Sequence, residues 1–196
     1  MPARWIEEAG KALFYQRNQF ELLADDLGVA FRFHQYAAME VELEALAGEL
    51  RKRICEVYPN HLGACGVPEF AFESLTVDAR LHHHHCFTGW QQEAFDDQGQ
   101  IVGNRMLAWQ LTLHTEPKMF SGGEVELADG TLLEPAVNRL VLYHPAQLAK
   151  VRQVECWSAH ALHGRWSLTG YVYGKAEGWL ESIRELVTPL PSQSTS

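Results

Sequence analysis

The sequence predicts a mainly β fold with flanking helices, a sandwich or jelly roll, and three observations carry that prediction. Past Pro59 the chain breaks into eight short runs rich in β-branched and aromatic residues. No helical period lies between those runs, which argues against parallel βαβ units. Asp129-Gly130 separates two of them as a tight-hairpin signal, because glycine takes a positive φ without steric cost.

The elements follow in order. Residues 1–34 mix apolar and polar positions without a clean period and receive no assignment. Met39, Leu43, Leu46, Leu50, Ile54 and Val57 recur at steps of three and four, one apolar stripe of a helix over 39–57. Its acids (Glu40, Glu42, Glu44, Glu49) precede Arg51-Lys52-Arg53, as the helix dipole favours, and Pro59 ends it. Strands are expected at 70–77, 80–87, 106–115, 124–127, 131–133, 139–143, 150–154 and 165–173. A second helix is expected at 175–187, followed by a Ser/Pro-rich tail that frays. The domain scheme is an N-terminal helical segment (1–69) packing on a core (70–174), then a C-terminal helix and tail (175–196).

Length and composition narrow the function. A chain of 196 residues makes one domain that buries roughly 70% of its unfolded surface, so it folds without disulfides or metal. Hydrophobic residues at 46% and charged residues at 21% are values of a globular chain. The 16 Lys+Arg against 25 Asp+Glu leave a net charge of -9, and no basic cluster exceeds Arg51-Lys52-Arg53. Nucleic acid is therefore not the expected partner. The N-terminus carries Trp5, Glu7 and Glu8 and lacks a signal-peptide core, and no apolar run reaches membrane-spanning length. Cys55, Cys65, Cys86 and Cys156 are scattered without CxxC spacing, which reads as reduced thiols of a cytoplasmic protein.

Candidate chemistry lies in the histidines and one arginine. No P-loop, GxGxxG, HExxH or GxSxG occurs, so phosphate cradles, zincins and serine-hydrolase elbows lack support. Four histidines stand in a row at 82–85. On a strand His83 and His85 share one face, roughly 7 Å apart, close enough for both imidazoles to reach one metal. The plainer reading is a packed or exposed histidine run. His160 and His163 precede the last strand and offer further ligands, or are ordinary loop histidines. Arg165 shares a strand face with Ser167 and Thr169. A buried guanidinium there must meet an anion, with a charge-assisted bond contributing about 1.5–3 kcal/mol. Either a ligand carboxylate or an internal acid satisfies it.

Three segments, in order, carry a family resemblance. His114-Thr115-Glu116-Pro117-Lys118-Met119-Phe120-Ser121-Gly122-Gly123-Glu124-Val125 comes first. Glu134-Pro135 with Asn138-Arg139-Leu140-Val141-Leu142-Tyr143 comes second. Val151-Arg152-Gln153-Val154-Glu155-Cys156 and Gly164-Arg165-Trp166-Ser167-Leu168-Thr169-Gly170-Tyr171 complete the set. Over about residues 70–174 the chain resembles the Fe(II)/2-oxoglutarate-dependent dioxygenases of the prolyl-hydroxylase-like branch.

The resemblance implies a double-stranded β-helix and an oxidoreductase that uses a divalent metal, Fe(II), with 2-oxoglutarate as a possible co-substrate. The family holds iron with an HxD pair on an early strand and a distal histidine. The register that starts the pair at His85 puts Phe87 at the aspartate position, and Ala149 stands at the distal one. Arg165 matches the arginine that grips 2-oxoglutarate, with Ser167 beside it. The strand the family fills with tyrosine is Trp109-Gln110-Leu111-Thr112-Leu113 here. The expectation is a metal-dependent, oxygenase-like enzyme with a site rebuilt from His83, His85 and His163, acting on a small carboxylate-bearing substrate. The alternatives are a catalytically degenerate jelly-roll binding protein and a cupin-like metal enzyme that does not use 2-oxoglutarate.

Overall fold

The computed structural model describes residues 21–23, 30–33, 48–53, 66–82, 85–160 and 163–187. Thirteen strands are present among them: β1 (Glu21–Leu23), β2 (Ala30–Phe33), β3 (Ala71–Leu75), β4 (Asp78–His82), β5 (Gln91–Gln92), β6 (Arg105–Leu113), β7 (Phe120–Gly122), β8 (Val125–Leu127), β9 (Leu132–Leu133), β10 (Leu140–Tyr143), β11 (Leu148–Val151), β12 (Val154–Cys156) and β13 (Arg165–Lys175). A seven-stranded antiparallel sheet runs β1-β2-β4-β13-β6-β10, with β3 also on β13. A four-stranded sheet runs β5-β11-β8-β9, and β12 pairs with β7. This is the expected jelly roll.

Register decides which side chains face where, since residues directly opposite on paired strands project to the same face. Trp166, Leu168 and Val172 of β13 pair with Leu113, Leu111 and Leu107 of β6, and Leu140 of β10 pairs with Leu111. This face is dry. It packs on Leu50 from the helical stretch 48–53 and on Trp179 and Ile183 of the C-terminal helix, Trp179–Leu186. Trp179 and Ile183 stand four apart on one stripe, and Trp179 Nε1 donates to Arg105 O at 3.1 Å.

The opposite face is polar. Arg165 pairs with His82, Ser167 with Arg80 and Thr112, and Thr169 with Gln110. Tyr143 lies opposite Ala108. Arg165, His82, Ser167, Thr112 and Gln110 are nonetheless buried. A jelly-roll interior built this way is a lumen for polar groups, not a hydrocarbon core.

Several boundaries differ from expectation. The strand expected at 80–87 ends at His82, and His85 sits in a turn at φ 64. The strand expected at 150–154 divides into β11 and β12 across Arg152 and Gln153. The helix expected from 175 begins at Trp179, because β13 continues to Lys175. β5 and β7 had no sequence signal, and β1 and β2 lie in the unassigned stretch. Of the helix expected over 39–57, the described part, 48–53, is helical, and the rest lies outside the described residues. No helix among the described residues is long and apolar enough to cross a membrane.

Candidate ligand site in the jelly-roll lumen

The antiparallel ladder on β11 and β12 sets the site. Gln92 faces Leu148 and Gln91 faces Ala149. Further along, Thr88 N donates to Val151 O at 3.0 Å, and His85 N donates to Val154 O at 2.8 Å. His85 thus stands five residue steps from Ala149, roughly 16 Å along the ladder. A ligand pair that shares a metal with position 149 must lie at β5 and just past it, where Gln91 and Glu93 are. His85 and Phe87 lie further along the ladder, away from position 149.

Gln91, Glu93 and Ala149 line one inner cavity of about 40 Å³, together with Arg80, Gln110, Tyr143 and Tyr171. An outer cleft of about 570 Å³ shares Arg80, Gln91, Glu93 and Tyr171 with it. The inner volume admits a water or two, or a carboxylate group, and the outer one a small molecule. Glu93 Oε2 accepts the Tyr171 hydroxyl hydrogen, and the Glu93 carbonyl accepts from Arg105 Nη1. Burial and the Glu93 carboxylate push the Tyr171 hydroxyl above its ordinary range. Burial does the same for Tyr143, so both phenols are neutral donors at physiological pH.

These residues do not fit the family's iron. An amide, one carboxylate already bonded to a phenol, and a methyl group replace two imidazoles and a free carboxylate. No group of three or more His, Cys, Asp or Glu able to hold a metal gathers among the described residues.

The metal candidates from sequence stand elsewhere. His83 lies outside the described residues. His85 is exposed, its Nδ1 3.1 Å from Glu155 Oε1 and 3.0 Å from Gln153 Nε2. His85 itself stands in a turn at φ 64. His163 is half-buried, its Nδ1 2.7 Å from Ser158 Oγ and its ring 5.2 Å from that of His160. Both residues border β12: His85 through Val154, and His163 through its carbonyl, 3.4 Å from Cys156 Sγ.

Arg165 is where the sequence put it, on the inward face of β13, and it is 1% exposed. Its Nη1 lies 3.4 Å from His82 Nδ1 and 3.5 Å from Ser167 Oγ, both long contacts. Its Nε and Nη2 are buried without a hydrogen-bond partner. Arg165 is not in the lining of either cavity just described, though Tyr143, whose phenol it feels electrostatically, lines the inner one. Burial, then the nearby Arg80 charge, pull its guanidinium down to about 10, still protonated at neutral pH. Burial and the charges of Arg165 and Arg80 hold His82 well below its ordinary value, so it is a neutral neighbour. The Gly122-Gly123 pair of the first motif has a local reason. A Cβ on Gly123 would come 2.6 Å from Arg165 Cδ, and one on Gly122 would come 2.0 Å from Gln153 O.

Solved structures of similar fold include three. They are a Pseudomonas putida prolyl-4-hydroxylase (TM-score 0.64, 15% identity, 89% of each chain), a viral collagen prolyl hydroxylase of Paramecium Bursaria Chlorella virus-1 in complex with 2-oxoglutarate (0.59, 10%, 89% of this chain and 92% of that one), and a 2OG-Fe(II) oxygenase family oxidoreductase of Burkholderia pseudomallei (0.57, 16%, 87% and 79%). The fold is that of the 2-oxoglutarate oxygenases.

An uncharacterized PKHD-type hydroxylase of Synechocystis is 23% identical over 153 residues, 71% of this chain and 50% of that protein. The chain spans about half the length of this curated relative. No family model matches. The names of these relatives agree with the oxygenase resemblance of the three motifs and with the leaning towards an oxidoreductase.

Sequence reading missed Arg80, Gln91, Glu93, Tyr143 and Tyr171. Arg80 had a usable signal: it alternates with Asp78 and His82 on one strand face. β5, two glutamines long, had none.

Proposed function

We propose that this chain binds a small carboxylate-bearing molecule inside the jelly roll, with Arg165 as its anion anchor and Ser167 beside it. 2-Oxoglutarate is the first candidate, from the resemblance. The observation that carries this reading is a protonated guanidinium, 1% exposed, with Nε and Nη2 unpartnered. A buried donor without an acceptor costs about 1–3 kcal/mol, more when charged, and an incoming carboxylate removes that cost. The test is calorimetric titration of 2-oxoglutarate into the protein, with and without Fe(II), beside Arg165→Met. Binding by the native chain and none by the variant supports the reading; equal heats from both overturn it.

A second reading keeps the chemistry of the relatives: a non-haem metal oxidoreductase with a site rebuilt from His83, His85 and His163. What supports it is the common position of His85 and His163 at β12, and the hydroxylase and oxygenase names of the similar proteins. Equilibrium dialysis with Fe(II), Cu(II) and Zn(II) against a His83→Ala/His85→Ala variant tests it. Equal, weak uptake by both proteins leaves the binding reading alone.

A further inference from the structure

The lumen holds a second guanidinium, that of Arg80. Arg80 stands on β4 directly opposite Ser167, and Arg165 stands opposite His82, so the two arginines are diagonal neighbours on one face. Such positions lie roughly 7–8 Å apart at the backbone, within reach of long side chains. Arg80 lines both the inner cavity and the outer cleft. Its Nε is buried without a hydrogen-bond partner, and it closes no ion pair with a carboxylate among the described residues. Its charge is felt by His82, Tyr143, Arg165 and Tyr171, which surround it.

Two like charges on one buried face repel unless something negative stands between them. The carboxylates close by are Glu93, bonded to Tyr171, and Glu124, whose charge reaches Arg165; neither pairs with either guanidinium. Where the family has metal ligands, the wall carries Gln91, Glu93 and Ala149. We infer that Arg80 and Arg165 form a two-point anion site that takes a small dicarboxylate without a metal ion. This rests on the carboxylate-binding reading above and adds the second contact. Arg80 borders both the inner space and the wider cleft, and Arg165 lies behind the inner one, whose lining residue Tyr143 it feels electrostatically.

The experiment is titration calorimetry in excess EDTA with succinate, butyrate and inorganic phosphate. The native chain should bind succinate at least ~10-fold more tightly than butyrate, the factor expected from one charge-assisted contact. Arg80→Gln should erase that preference, whereas Arg165→Met should lose both acids. Equal affinity of the native chain for succinate and butyrate overturns the two-point site and leaves the single-anchor reading standing. Binding of neither acid overturns the metal-free site, and the 2-oxoglutarate titration with Fe(II) decides the single-anchor reading separately. Phosphate binding more tightly than succinate overturns the dicarboxylate assignment. The comparison of the two acids on the native chain does not depend on any variant folding.

Discussion

His82 shows how burial sets the state of a single residue. The ring is 3% exposed and lies beside two guanidinium groups, so desolvation first, and the Arg165 and Arg80 charges second, favour its neutral form. In the unfolded chain the same ring takes a proton near its ordinary value of 6.5. The unfolded state therefore binds more protons than the folded one below that pH, and stability falls as pH drops through about 6.5. One such group changes stability by at most ~1.4 kcal/mol per pH unit. His144, whose value burial also lowers, adds to the same slope. His82→Gln should flatten the fall in melting temperature between pH 7 and 5 without abolishing it, which calorimetry at three pH values would measure. An unchanged slope would mean that His82 is not buried neutral.

At the scale of elements, the turn between β7 and β8 is tightly constrained. Gly122 and Gly123 both take positive φ, 71° and 74°. Gly122 also sits where Val154 pairs with it on β12, against a backbone carbonyl that cannot move aside as a side chain can. Gly122→Ala should cost about 1–3 kcal/mol, read as a lower denaturant midpoint at unchanged slope. Gly123→Ala instead meets the flexible Arg165 side chain, so it should perturb carboxylate binding more than stability.

This pair was legible in the sequence, as were the hairpin at Asp129-Gly130, closed by Leu127 N to Thr131 O at 2.9 Å, and the inward face of β13. These are local signals: turn chemistry and period-2 alternation act within a few residues. β5 was illegible because Gln91-Gln92 has no strand propensity and exists through pairing with β11, more than fifty residues away. The end of β4 at His82 was illegible for the complementary reason. Composition cannot show that a chain turns at His85.

For the whole molecule, the two faces of the large sheet divide the work. The face towards the helices carries Trp166, Leu168, Leu107, Leu111, Trp179 and Ile183 and supplies the stability. The lumen face carries Arg165, His82, Ser167, Thr112 and Gln110 where hydrocarbon would fold better. A buried charge without a close partner is a net cost, and replacing such a group with an apolar one of similar size is neutral or stabilising by about 1–4 kcal/mol. Arg165 has only the long contacts to His82 and Ser167 to set against that. Arg165→Met should therefore raise the melting temperature of the ligand-free protein and at the same time remove carboxylate binding. A structural arginine predicts the opposite sign for the first of these, since its loss would lower the melting temperature. The paired measurement, thermal stability without ligand and the thermal shift on adding 2-oxoglutarate, separates the two roles. In the native chain the shift grows with ligand concentration, by about 2.7 kcal/mol at a hundredfold excess over Kd. In the variant it vanishes.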